Sequence, residues 1–165
     1  MTYRLLNGLL VLIAAAASLF AIGYLQLRLG LDPCPLCIFQ RIGLWSMAVF
    51  ALLASLINPQ GKILRALFWL GSVAGTLWGL GVALRHTWLH YSPSAVPSCG
   101  AGLGYWVDTL PMAEVISIVL AGNGDCSMID WSFLGLSIPA WTAVLFLVIL
   151  GIQFVILTKI IKKLP

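Results

Sequence analysis

Charge is scarce in this chain. Of 165 residues, nine are Lys or Arg and five are Asp or Glu, 8% together, where ordinary soluble domains carry about 25%. Hydrophobic residues make up 61%, and so little polar surface cannot cover a core of that size in water. The same composition excludes a disordered chain. The net charge of +4 does not bring in nucleic acid, because the basic residues are scattered and form no dense basic face. Internal repeats and low-complexity tracts are also absent, and only four cysteines are present. What is left is an integral membrane protein, and the cysteines become its chemical question.

Charges punctuate the sequence and leave four long uncharged stretches: residues 5–27, 42–61, 66–84 and 131–158. About 20 mostly apolar residues suffice for a helix to cross the hydrocarbon layer, and lipid offers the backbone no other hydrogen-bond partner. The expected architecture is all-α: a single four-helix transmembrane domain over residues 1–165, with spans at about 5–27, 38–58, 64–84 and 138–158. The first stretch, with Arg4 and small residues at 14–18, has some signal-peptide character. Its apolar run exceeds the usual length of about 7–15 residues and three more spans follow, so a retained span is expected.

An even number of spans puts both termini on one side. That side holds Arg4, Lys62, Arg65, Lys159, Lys162 and Lys163, while the other holds Arg28, Arg41, Arg85 and all five acidic residues. The bias of basic residues places both termini in the cytoplasm. Asn58-Pro59-Gln60-Gly61 is then a tight cytoplasmic turn, and two outward loops remain, at about 28–37 and 85–137. The longer loop is rich in Pro, Ser and Gly over residues 92–104 and turns apolar over residues 111–121. That run is too short to span. It is expected as a short helix, either lying in the membrane interface or packed on the other helices.

All four cysteines fall in the outward loops: Cys34 and Cys37 in the short one, Cys99 and Cys126 in the long one. Thiols outside the bacterial cytoplasm tend to be oxidised, and four cysteines allow three pairings that spacing does not choose between. Cys34-Pro35-Leu36-Cys37 is a C-x-x-C motif at the mouth of the second span. Pro33 and Pro35 disfavour helix before that point, so the helix is expected to begin at about Leu36 or Cys37. Its first N–H groups and dipole then face the Cys37 sulfur, an arrangement that favours a thiolate. Arg41 follows at i+4 from Cys37, on the same helix face, as a second source of positive charge. A charged residue inside a span is a functional candidate. His86, next to Arg85 at the outward end of the third span, is expected to supply or relay protons; His90 lies one turn further out. Two passive staples are the bland alternative, although so tight a C-x-x-C loop adds little stability. One C-x-x-C with two distant cysteines is weak zinc spacing, and no metal is expected.

The segment Cys34-Pro35-Leu36-Cys37-Ile38-Phe39-Gln40-Arg41 resembles the signature of the disulfide bond formation protein B (DsbB) family. Gly124-Asp125-Cys126, Trp131-Ser132-Phe133-Leu134-Gly135-Leu136, Pro139-Ala140-Trp141 and Arg85-His86-Thr87 are similar to it as well. The resemblance covers nearly the whole chain. It implies a bacterial inner-membrane thiol oxidase with periplasmic cysteine loops, which reoxidises a soluble thioredoxin-like partner of the DsbA type and passes electrons to a quinone, ubiquinone or menaquinone. On that reading Cys99 and Cys126 form the partner-facing pair, with Cys99 the sulfur attacked. Cys34 and Cys37 form the pair beside the quinone, which Cys37, Arg41 and His86 would hold. Gly100, directly after Cys99, departs from the aromatic or polar residue usual there, which leaves room for a sister oxidase with its own partner. Two other classes stand beside this one: a membrane scaffold with two structural disulfides, and a reductase of the vitamin K epoxide reductase type, whose C-x-x-C comes late in the chain rather than first.

Overall fold

The computed structural model describes residues 2–92, 103–122 and 131–162. Four helices are long and apolar enough to cross a membrane: Tyr3–Gln26, Pro35–Ile57, Lys62–Tyr91 and Ile138–Lys162. The first is an α-helix, α1 (Tyr3–Leu19), that continues as a π-helical stretch, Phe20–Gln26. The others are α2 (Pro35–Ile57), α3 (Lys62–Tyr91) and α6 (Ile138–Lys162), and two short helices precede α6, α4 (Leu103–Thr109) and α5 (Met112–Ala121). A hairpin of two-residue strands, β1 (Ser132–Phe133) and β2 (Leu136–Ser137), leads directly into α6. The all-α four-span architecture is therefore present. Leu12, Leu67, Leu147 and Phe154 are among many large apolar side chains that point outward, as a bundle surrounded by lipid requires.

Three boundaries differ from expectation, each for a local reason. α2 starts at Pro35 with Cys34 as its N-cap, because proline's fixed φ suits the first helical position and its missing N–H is not needed there. α3 runs to Tyr91 rather than ending near residue 84. Arg85 and His86 are polar but compatible with helix, and the chain leaves the helix only at Ser92, where the following Pro93 disfavours helical geometry. α4 and the β-hairpin lie where only irregular loop was expected. The turn after α2 matches the sequence signal: Asn58 caps the helix in the left-handed region, its N–H bonded to the Ala54 carbonyl at 3.1 Å.

Glycine packs the bundle. Gly71, Gly75 and Gly79 recur every four residues along α3, a spacing that lets helix backbones approach in lipid. A Cβ on Gly75 would stand 2.6 Å from the Met47 backbone nitrogen, and one on Gly43 would stand 2.8 Å from the Gly79 backbone. Gly79 also receives the Phe146 ring of α6. Below this contact Gln153 donates to Ser72 Oγ at 2.8 Å and to Thr76 Oγ1 at 2.9 Å, so α6 is tied to α3 by polar groups as well as by shape.

The end of the bundle at which α2 begins has its own core, formed by Leu36, Phe39, Val82, Leu89, Trp106, Val115 and Val119. Val115 and Val119 put one face of α5 into this cluster, while Met112 remains exposed. Of the two placements considered for the 111–121 run, packing on the other helices is therefore what its buried face does. Arg85 fastens it: Nε and Nη2 donate to the Leu120 and Ala121 carbonyls at 2.9 and 3.0 Å, two groups that a helix end leaves without internal partners. The guanidinium also lies over the Trp88 ring. Arg85→Gln is expected to speed hydrogen exchange of the α5 amides by about tenfold or more, the worth of a charge-assisted hydrogen bond. Exchange unchanged in α5 would show that apolar packing alone holds the helix.

Candidate functional site

The C-x-x-C motif meets the C-terminal part of α3 where α2 begins. Cys34 caps α2 and Cys37 lies in its first turn, among the N–H groups that no helical carbonyl accepts. Their sulfurs lie 3.3 Å apart, within reach of each other for a bond to form or break. Because α3 continues past residue 84, His86 is held inside a helix and is fully buried. Its Nε2 stands 3.7 Å from Cys34 Sγ, and its Nδ1 stands 3.1 Å from the Gln40 amide nitrogen. The Gln40 amide thus holds the ring from its Nδ1 side and leaves Nε2 turned towards the sulfur. Cys34, partly buried, packs against the apolar cluster that contains the fully buried Leu36 and Leu89.

On the other side of α2 a cleft opens towards α1 and α6. Its wall includes Cys37, Gln40 and Arg41 with Leu25, Asp32 and Phe146. Arg41 does not simply extend to the bilayer surface: its Nη1 donates to Gln26 Oε1 at 3.1 Å, across from the end of the π-helical stretch. The cleft adjoins an apolar groove, the two sharing Ala17, Ala21, Leu25, Ile138, Thr142 and Leu145. Phe20, Trp131, Phe133 and Trp141 line the outer part of that groove. The β-hairpin places those aromatic residues. Its turn uses positive φ at Leu134 and Gly135, and Trp141 Nε1 donates to the Phe133 carbonyl at 3.0 Å.

The structure thus brings Cys34, Cys37 and His86 into one cluster and puts Cys37 and Arg41 on one cleft. Cys99 and Cys126, with the Gly124-Asp125-Cys126 motif, lie outside the described residues. His90 is partly buried, its ring against Tyr91 with centroids 5.0 Å apart. The donor atoms of Cys34, Cys37 and His86 all lie within 4.8 Å of one another, a spacing that three metal ligands also have. Two contributors were missed from the sequence. Gln26 is the partner of Arg41, and its signal was available as a polar residue at the end of an apolar span. Arg85 was taken only as a boundary charge.

The family model described as "Disulfide bond formation protein DsbB" matches residues 3–156. Among curated proteins, the Disulfide bond formation protein B of Psychrobacter cryohalolentis is 51% identical over 162 residues, 98% of this chain and 92% of that one. The protein of the same name from Acinetobacter baumannii is 48% identical over 151 residues, covering 91% and 88%. That from Xanthomonas axonopodis pv. citri is 45% identical over 139 residues, covering 84% and 81%.

Proposed function

Since the chain belongs to the disulfide bond formation protein B family, a family of multi-pass membrane proteins that make disulfides, we propose that it is a thiol:quinone oxidoreductase. It reoxidises a thioredoxin-like dithiol protein of the DsbA type on the periplasmic side of the bacterial inner membrane, with both of its own termini in the cytoplasm. The observation that carries this reading is the sharing of Cys37 and Arg41 on one cleft while Cys34 sits against a buried His86.

The cleft suits a quinone. Apolar walls from α1, α2 and α6 match a flat ring and its lipid tail, and the aromatic groove beyond them opens a path along the bundle surface. Arg41 and Gln40 offer hydrogen-bond donors for the ring's carbonyl oxygens, and the Gln26 contact holds the Arg41 fork in place. A bound quinone supplies a sink for two electrons and two protons, and ubiquinone and menaquinone both meet that description. Cys34 and Cys37 supply them: the dithiol becomes a disulfide, giving up two electrons and two protons. His86 Nε2 faces the sulfur that loses its proton as this pair is prepared for exchange.

The pair is recharged with electrons by thiol–disulfide exchange, in which a thiolate attacks one sulfur and the other leaves. On this proposal the partner's thiolate attacks Cys99 of a Cys99–Cys126 disulfide and expels the Cys126 thiolate; the partner's second thiolate then attacks its own sulfur in the mixed disulfide, expels the Cys99 thiolate and leaves the partner oxidised. The resulting Cys99/Cys126 dithiol reduces Cys34–Cys37 by the same two displacements, so each turnover moves two electrons from partner to cleft. A water-soluble partner needs its cysteines on a loop, and a lipid-dissolved acceptor needs them at a helix mouth. On this proposal Cys99 and Cys126 are the loop pair, and Cys34 and Cys37, at the start of α2, are the pair at the helix mouth.

The test is reconstitution of the purified protein with defined quinones and a reduced DsbA-type dithiol, followed by the quinone's ultraviolet absorbance. Turnover requiring both quinone and partner is expected. Oxidation of the partner at the same rate without quinone would overturn the proposal. Arg41→Ala is expected to raise the apparent KM for quinone by about tenfold to a hundredfold, the worth of a charged hydrogen bond, and to leave the KM for the dithiol partner nearly unchanged. An unaltered quinone KM would leave Arg41 as a membrane anchor only.

A further inference from the structure

The end of the bundle opposite Cys34 and Cys37 holds a second cleft. There α1 begins, α2 turns into α3, and α6 finishes. A cleft of about 640 Å³ lies between them, lined by Thr2, Tyr3, Arg4, Asn58, Gln60, Arg65, Lys159 and Lys162, a size within the range of about 300–1,000 Å³ usual for small-ligand sites. Four of these residues are cationic. None of the residues lining the cleft is acidic, and Asp32, Asp108 and Glu114 lie elsewhere, beside Cys37 or on α4 and α5. No ion pair neutralises any of the four cations among the described residues.

Arg65 makes this more than a solvated basic rim. It is buried, 5% exposed, at the first turn of α3. Its Nε donates to the Pro59 carbonyl, and its guanidinium lies over the Tyr3 ring, 4.9 Å from the centroid. Both contacts hold the fork in position without cancelling its charge. Among the described residues no carboxylate faces it, and a buried cation is costly unless paired, a cost that falls when an anion enters. Lys159 and Lys162, in the last turn of α6, can close around such an anion from the opposite wall.

We propose that this cleft binds a phosphate-bearing anion, with the headgroup of an anionic phospholipid and free inorganic phosphate as the two sources of that chemistry. Arg65 is its fixed donor and Arg4, Lys159 and Lys162 complete the positive wall. A basic pocket between transmembrane helices at the membrane surface is the setting in which anionic headgroups are held. The site is remote from Cys34 and Cys37 and independent of the redox proposal.

The test uses the full chain in nanodiscs of equal phosphatidylglycerol and phosphatidylcholine, released into detergent for native mass spectrometry. Wild-type protein is expected to retain phosphatidylglycerol in preference to phosphatidylcholine, and Lys159→Gln with Lys162→Gln to lose that preference by about tenfold. Lys62→Gln is the control for each single change, Lys159→Gln or Lys162→Gln: it removes an equal charge at the same end, from an exposed residue outside the cleft wall, and should change little. A parallel thermal melt of detergent-purified protein with millimolar inorganic phosphate separates the sources. A lysine-dependent rise in Tm with phosphate as large as with phosphatidylglycerol assigns the cleft to soluble phosphate, and a rise with the lipid alone assigns it to the headgroup. No preference for the anionic lipid together with no phosphate shift overturns the site. So does an equal loss in Lys62→Gln, which would mean general surface charge. The lysine variants are partly or fully exposed, so the result does not hinge on replacing buried Arg65.

Discussion

Cys37→Ser should abolish quinone-coupled oxidation of the dithiol partner, lowering turnover by at least about a thousandfold, as losses of a reacting nucleophile do. The serine oxygen cannot form or break a disulfide at this position, so electrons arriving at Cys34 have no paired sulfur with which to leave. The substitution is small, and Cys37 lies on the cleft wall in the first turn of α2 rather than deep in the core. The helical circular dichroism and Tm should therefore stay close to wild type. The same variant should still exchange with the partner: mixing it with a partner that lacks its own resolving cysteine is expected to accumulate a mixed disulfide, visible on a non-reducing gel. Full turnover by Cys37→Ser would break the electron path. Failure of the wild-type protein and all its cysteine variants to form any mixed disulfide would favour a scaffold with passive bridges.

Gly75→Ala should destabilise the bundle by about 3 kcal/mol, at the upper end of what overpacking usually costs. The added methyl would stand 2.6 Å from the Met47 backbone nitrogen and 3.0 Å from the Gly43 carbonyl. Neither neighbour is a flexible side-chain tip, so α2 and α3 must separate. Gly81→Ala, on the same helix with nothing within 4 Å of its added atom, is the control. It should be neutral or slightly stabilising, because alanine favours helix by up to about 1 kcal/mol over glycine. Thermal melts followed by size-exclusion chromatography would distinguish the two, and equal Tm values would refute the packing argument. The effect should reach the chemistry as well. α2 carries Cys34 and α3 carries His86, and their 3.7 Å approach depends on the helices staying in contact. Lower turnover is expected in the Gly75 variant even at temperatures where it remains folded.

Local sequence terms account for much of the architecture. Uncharged runs of bilayer length allow only helices, because lipid cannot satisfy a backbone, and the four spans follow. The C-x-x-C at a helix mouth, with Arg41 one turn on, was legible for a similar reason: helical periodicity alone puts residues four apart on one face. Boundaries were less legible where charge was read as a stop signal. At Arg85 and His86 the helix continues, since backbone geometry is interrupted by proline and not by charge.

Contacts between distant segments follow a different rule. His86 is 52 positions from Cys34, Gln26 is 15 from Arg41, and Arg85 is 35 from the carbonyl it caps. Composition, charge and helical period established that this is a four-span helical membrane protein with a C-x-x-C at the end of one span, because each of those depends only on neighbours along the chain. Which histidine meets the sulfur was decided by how closely Gly43, Gly75 and Gly79 let α2 and α3 pack, while the amide that steadies the arginine and the docking of α5 were decided by contacts of α2 with the π-helical stretch and of α3 with α5. Interhelical distance and rotation depend on all the facing side chains together, so no single segment encodes them.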